Sequence, residues 1–155
     1  MEKTILILDL DGVLITTPPW KQDRIHADGY SDFNPKVVQN LNELLQFSDF
    51  EIWLSSARRT TKSLEEFNQI FKNRSIEGEI IDFLPIHKYR LSRREEIEYF
   101  LVEKAIENYL IIDDDKSLSG LEEKSKLVLT ELLKGFDRDK LKEAKIKVSN
   151  SFGDC

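Results

Sequence analysis

Cysteine is nearly missing from this chain: the only one is Cys155, at its very end. One thiol cannot close an intramolecular disulfide or build a thiolate zinc site, so the expected setting is a reducing cytoplasm. Long hydrophobic runs are missing too. The apolar stretch that begins at Thr4 stops at Asp9, too short and too soon acidic for a secretory signal or a membrane span. Met1 is therefore expected to belong to the folded domain. Positive charge is in deficit, with a formal net charge of −6. That argues against indiscriminate binding to nucleic acid or acidic membranes, which depends on Lys and Arg displacing counterions. No repeat, low-complexity tract or linker divides the 155 residues, and neither a membrane nor an obligate protein partner is indicated. The composition suits one globular domain over residues 1–148, with a tail from Ser149 to Cys155 expected to fray.

Five short apolar runs punctuate the chain: Thr4 to Leu8, Glu51 to Leu54, Glu79 to Ile81, Tyr109 to Ile112 and Lys126 to Leu129. Unbroken apolar runs of this length are expected of strands buried on both faces of a parallel sheet. Between them lie segments of helical period. Pro35 opens the first, with Asn34 as its N-cap and Val37, Val38, Leu41, Leu44 and Leu45 on one face. Leu64, Phe67, Ile70 and Phe71 mark a second. Ile97, Phe100, Leu101 and Ala105 mark a third, with Ser92 as the expected cap. Alternating strands and helices predict an α/β fold of three layers, Rossmann-like, with a mostly parallel sheet covered on both sides. The stretch 15–33 has no clear period and reads as a loop or flap, in which Trp20, His26 and Tyr30 either pack or shape specificity.

Asp9-Leu10-Asp11-Gly12 follows the first strand directly. Two carboxylates then stand at the carboxyl end of a buried strand, where ligands of open α/β sheets bind. A plain Asp-Gly turn is the alternative. A calcium loop fits worse, because Val13-Leu14-Ile15 puts hydrocarbon where further oxygen ligands would be needed. Asp113-Asp114-Asp115 closes the strand from Tyr109 in the same way, so Asp9, Asp11, Asp113 and Asp114 are expected to converge. Two carboxylates ~5 Å apart repel by roughly 3 kcal/mol at an effective dielectric near 20, so the cluster needs raised pKa values or a cation. Oxygen ligands favour a hard ion, and magnesium suits them better than zinc. Ser55-Ser56-Ala57-Arg58 ends the second strand and offers hydroxyl and backbone donors for phosphate oxygens, with a helix cap as the alternative use; Thr60 or Thr61 could compete as cap of the second helix.

These residues carry a resemblance. Asp9 to Leu14 resembles the first motif of haloacid dehalogenase-like (HAD) phosphatases, Leu54-Ser55 the second, and Asp113-Asp114 the acidic fourth. Within that superfamily the chain is similar to cap-less members of the type in Swiss Army Knife RNA repair proteins. The likenesses are Ser55-Ser56-Ala57-Arg58 (where Trp often replaces Ala57), Arg93-Arg94-Glu95-Glu96-Ile97, Ile112 to Asp115, and Leu129-Thr130 followed by Gly135-Phe136. The third motif is usually a lysine; here Arg93 matches the position best and Lys88 is its rival.

The resemblance implies a magnesium-dependent phosphomonoesterase without a cap domain. Asp9 would attack phosphorus, Asp11 would protonate the leaving oxygen and then activate water, and Ser55 and Arg93 would hold the phosphoryl oxygens. Magnesium would be held by Asp9, Asp113 and the main-chain carbonyl of Asp11, with Asp114 in support. Ser56, Arg58, Lys88 and Arg94 would bind the rest of the substrate, and Arg59 and Arg90 would join Arg58 and Arg94 on a basic rim. The open cleft suits a phosphate on something large, such as a polynucleotide end or a phosphoprotein. Two rivals stay open here: a phosphate-binding module or pseudoenzyme that does not turn over, and a receiver-type phosphoacceptor. Receivers keep their acidic pair adjacent and their phosphoacceptor on a middle strand, unlike the pattern seen here.

Overall fold

The computed structural model of the protein describes residues 3–153. Five strands, β1 (Thr4–Leu8), β2 (Phe50–Leu54), β3 (Ile80–Phe83), β4 (Tyr109–Asp113) and β5 (Leu127–Leu129), form one sheet in the order β3-β2-β1-β4-β5. Every neighbouring pair is parallel. Four helices accompany them: α1 (Pro35–Phe47), α2 (Leu64–Asn73), α3 (Arg93–Glu103) and α4 (Arg138–Gly153). The fold is the expected three-layer, Rossmann-like α/β arrangement.

The unbroken apolar character of β1 follows from the two cores it serves. Leu6 and Leu8 belong to one, with Leu41 of α1, Phe67 of α2 and Leu141 of α4. Ile7, pointing the other way, joins Ile97 and Phe100 of α3 in the second. Each such side chain, fully buried, contributes roughly 1.5–3 kcal/mol.

The helix starts follow local chemistry. Asn34 accepts the N–H of Lys36 at 3.0 Å, and Pro35, which has no N–H to leave unsatisfied, takes the first helical position of α1. Ser92 and Glu95 form a capping box on α3. The cap of α2 differs from expectation: Ser63 with Glu66 forms its capping box, because a short 3-10 helix, Ala57–Thr60, first uses up the turn that would have made Thr60 or Thr61 the cap. Ala105, expected on the stripe of α3, lies beyond that helix, exposed and with φ of 50°. The helix α4 was not foreseen. Among its described side chains the buried face is Leu141, Ala144 and Val148, set among many charged residues. It carries on to Gly153 through residues expected to fray, while Asp154 and Cys155 lie outside the described residues.

The flap 15–33 contains no helix and no strand, only the isolated bridges Asp11–Ile15, at its start, and Ile25–Ser31. Between β2 and α2 there is only the 3-10 helix. Among the described residues, therefore, no cap domain is inserted at either place. No helix among them is long and apolar enough to cross a membrane.

Candidate active site

The strand order reverses direction between β1 and β4, so the crevice of this sheet opens beyond their carboxyl ends. Asp9 is the first residue past β1, Asp113 the last of β4, and Ser55 the first past β2. Sheet hydrogen bonds hold the three side by side. Asp9 donates its N–H to the carbonyl of Ile112 at 3.1 Å, and Ser55 donates to that of Leu8 at 2.9 Å. On the far side, the N–H of Thr130 reaches the Asp113 carbonyl at 2.9 Å, and its hydroxyl donates to the Gly12 carbonyl at 2.6 Å.

Carboxylate oxygens of Asp9, Asp113 and Asp114 all lie within 4.8 Å of one another. Asp9 and Asp113 are buried. Burial, and next the neighbouring Asp113 charge, push the Asp9 carboxyl well above its ordinary value, against the pull of Arg93. The same two causes push Asp114 up to about 6. Arg93, the first residue of α3, donates to Asp113 Oδ2 at 2.6 Å and stands 3.5 Å from Asp9 Oδ2. Burial opposes its charge, but Asp113 and Asp9 outweigh burial and hold the guanidinium firmly protonated. One cation thus faces three carboxylates, two of them pushed toward neutrality. This all-oxygen donor set fits a hard divalent cation.

Asp11 does not join the cluster by its side chain. Both its oxygens accept from Arg58, at 2.8 Å from Nε and 2.9 Å from Nη2. Its expected contribution to a metal was a main-chain carbonyl, which leaves the carboxylate free for this pairing.

The donors expected for a phosphoryl group are of mixed fate. The Ser55 hydroxyl is buried and has no hydrogen-bond partner among the described residues, an orphan that a ligand oxygen would satisfy. The Ser56 hydroxyl accepts the N–H of Arg58 at 3.1 Å and serves as a cap. Arg59 is not on the rim, contrary to expectation. It is buried, donating to the carbonyls of Leu84, Pro85, Ser55 and Ser56 and to Glu96, so that its guanidinium ties the loop after β2 to the loop after β3. Lys88 and Arg90 are exposed in the loop before α3, and neither has a hydrogen bond or ion pair among the described residues. Arg94 turns aside to Glu98, 3.6 Å away.

Sequence reasoning missed three supports. Glu96 accepts from Arg59 at 2.5 Å and lies 3.7 Å from Arg93 Nε, joining the loop after β2 to Arg93. Thr130 ties the loop after β1 to the end of β4. Phe136 donates its N–H to the Val13 carbonyl at 2.9 Å and braces the loop after Asp9 from behind. The only signals were the likenesses at Arg93 to Ile97, Leu129-Thr130 and Gly135-Phe136, which gave these residues no task.

A family model described as the HAD domain in Swiss Army Knife RNA repair proteins matches residues 5–141 of this chain. No curated protein matches it.

Proposed function

Given that the chain belongs to the family of HAD domains in Swiss Army Knife RNA repair proteins, we propose that it is a magnesium-dependent phosphomonoesterase working through an aspartyl-phosphate on Asp9. The observation that carries this reading is the buried Asp9 carboxylate. It stands at the crevice within 4.8 Å of two further carboxylates and 3.5 Å from Arg93, in a site whose Ser55 hydroxyl lacks a partner among the described residues. HAD domains are in general phosphatase-type hydrolases, and a site made only for binding gains nothing from an acidic nucleophile repelled by its neighbours.

Asp9, Asp113 and Asp114, with the main-chain carbonyl of Asp11, would hold magnesium, which when bound neutralises carboxylate and phosphoryl charge. The remaining work belongs to the protein. Asp9 Oδ1 accepts the N–H of Leu10 at 2.8 Å. That leaves Oδ2, the oxygen beside Arg93, to attack phosphorus. The Ser55 hydroxyl donates to a phosphoryl oxygen, and Arg93 offsets the charge of the transferring group. Asp11 gives a proton to the leaving oxygen and later takes one from water.

For substrate, we propose a phosphate presented on a polynucleotide end. The cleft has no cap to close over a small metabolite, and Lys88 and Arg90 beside it are free to meet further phosphates. We place the protein in the cytoplasm, on its single cysteine.

The test is phosphate release from an aryl phosphate, with magnesium and with EDTA. Many equivalents with magnesium and none with EDTA are expected. No release would leave a binding module, and one equivalent per chain a phosphoacceptor.

A further inference from the structure

Arg58 read from the sequence as a substrate ligand, but its donors are already engaged. The guanidinium has five N–H groups. Nε reaches Asp11 Oδ2 at 2.8 Å; Nη2 reaches Asp11 Oδ1 at 2.9 Å and Asp23 Oδ2 at 3.0 Å; Nη1 reaches Tyr30 Oη at 3.3 Å and Ser31 Oγ at 3.1 Å. Five donors meet five acceptors, and three of those acceptors belong to the flap.

The flap is itself fixed. Ser31 donates its hydroxyl to Asp23 at 2.6 Å. That bond holds Asp23 below its ordinary carboxylate range, so it remains an ionised partner for Arg58. Arg74, buried next to α2, grips the flap from the opposite side. It donates to both oxygens of Asp28, at 2.6 and 3.0 Å, and to the Ser31 carbonyl at 2.9 Å. The Tyr30 ring meets Phe67 of α2 edge-on, 6.0 Å between centroids. The orientation of Arg58 is therefore set by a braced frame rather than by its own flexible stem.

Asp11 needs such a frame. It sits two residues from Asp9 on the same loop, its carboxylate is half exposed, and an unrestrained carboxylate there would be drawn to any cation held by the acidic cluster. We infer that Arg58 is a positioning residue that holds the Asp11 carboxylate apart from the cluster, as the group that takes a proton from water when the aspartyl-phosphate is hydrolysed. This rests on the function proposed above. A carboxylate whose two oxygens accept from one guanidinium keeps a free lone pair on each for an incoming proton; to give a proton away it must first turn off Arg58. The role of Arg58 thus falls on the second half-reaction. There the water oxygen bonds to phosphorus, its proton passes to Asp11, and the bond from phosphorus to the Asp9 oxygen breaks, returning the Asp9 carboxylate and inorganic phosphate.

The experiment compares wild type, Arg58→Ala, Arg58→Lys and Ser31→Ala by rapid-quench kinetics on aryl phosphates of graded leaving-group acidity, with the melting temperature of each recorded. In Arg58→Ala, kcat should fall about 10- to 100-fold. Phosphorylated protein should accumulate to near one equivalent, seen as a burst of phenol, and kcat should stop depending on the leaving group. Arg58→Lys should recover part of the rate, and Ser31→Ala should shift in the same direction by less. If Arg58→Ala does not fold, the other two variants decide by the same readouts. A raised KM with unchanged kcat would make Arg58 a substrate ligand and overturn the inference. So would a lowered kcat with no burst and the wild-type leaving-group dependence. Failure of the underlying function looks different: no phosphorylated protein is trapped in any variant, and Asp9→Asn still turns over.

Discussion

Gly12 and Asp114 leave no space between them: a Cβ built on Gly12 would lie 2.0 Å from Asp114 Oδ2. Gly12 also has φ of +78°, a conformation that costs an L side chain about 1–2 kcal/mol. Gly12→Ala should therefore lower the melting temperature and displace Asp114, so that magnesium raises that temperature less than it does in wild type. An unchanged magnesium response would detach Asp114 from the cation site.

Asp9→Asn is expected to reduce turnover by on the order of 10³-fold or more, since an amide of nearly the same shape cannot attack phosphorus. Thermal stability should hold or rise, because the substitution removes a buried charge beside Asp113. Phosphate release and a melting curve on the same preparation check both halves; turnover within tenfold of wild type would take the nucleophile role from Asp9.

Stability should respond jointly to pH and magnesium. The folded-state values of Asp9 and Asp114 are raised, so across the window from 3.8 to about 6 the folded chain holds more protons than the unfolded one. On their account stability falls as pH rises through that window, the reverse of an ion-paired carboxylate. Magnesium binds the deprotonated form, so its stabilising shift should be larger at pH 7.5 than at pH 5. Melting curves at the two pH values decide it, and equal shifts would count against a carboxylate site.

Arg93→Ala should cost more in kcat than Lys88→Ala or Arg90→Ala. Arg93 stands 3.5 Å from Asp9, whereas Lys88 and Arg90 are exposed in the preceding loop. A cation speeds the chemical step only where charge develops. Steady-state kinetics of the three variants give the order, and a larger kcat loss at Lys88 would transfer the role to it.

On a phosphorylated oligonucleotide end, kcat/KM should exceed that on a sugar phosphate and fall as salt rises, since Lys88 and Arg90 would contact phosphates beyond the one removed. Loss of that salt dependence in a Lys88→Ala, Arg90→Ala double variant would place the contact there. A sugar phosphate preferred at every ionic strength would remove the polynucleotide proposal.

What the sequence disclosed depends on whether the signal was local. Strand β1 was legible because both its faces are buried, and α1 and α3 because Asn34 and Ser92 announce their starts. The helix α4 was not, since Leu141, Ala144 and Val148 are a thin stripe among charges. The meeting of Asp9 with Asp113 followed from strand ends sharing one edge of a parallel sheet. The burial of Arg59 and the pairing of Arg58 with Asp11 did not: these adjacent arginines have opposite fates, and only the positions of the Leu84 carbonyl and the flap separate them. Adjacent residues with the same charge carry no local sign of which turns inward.

The place of β1 between β2 and β4 bears on how the protein is made. Asp9 and Ser55 leave the ribosome before Arg93, Asp113 and Thr130, the residues that complete the cluster and tie it together. A nascent chain carrying Asp9 and Ser55 without α3 and β4 has neither the acidic cluster nor Arg93 beside Asp9. The acidic cluster exists only once β4 has docked against β1.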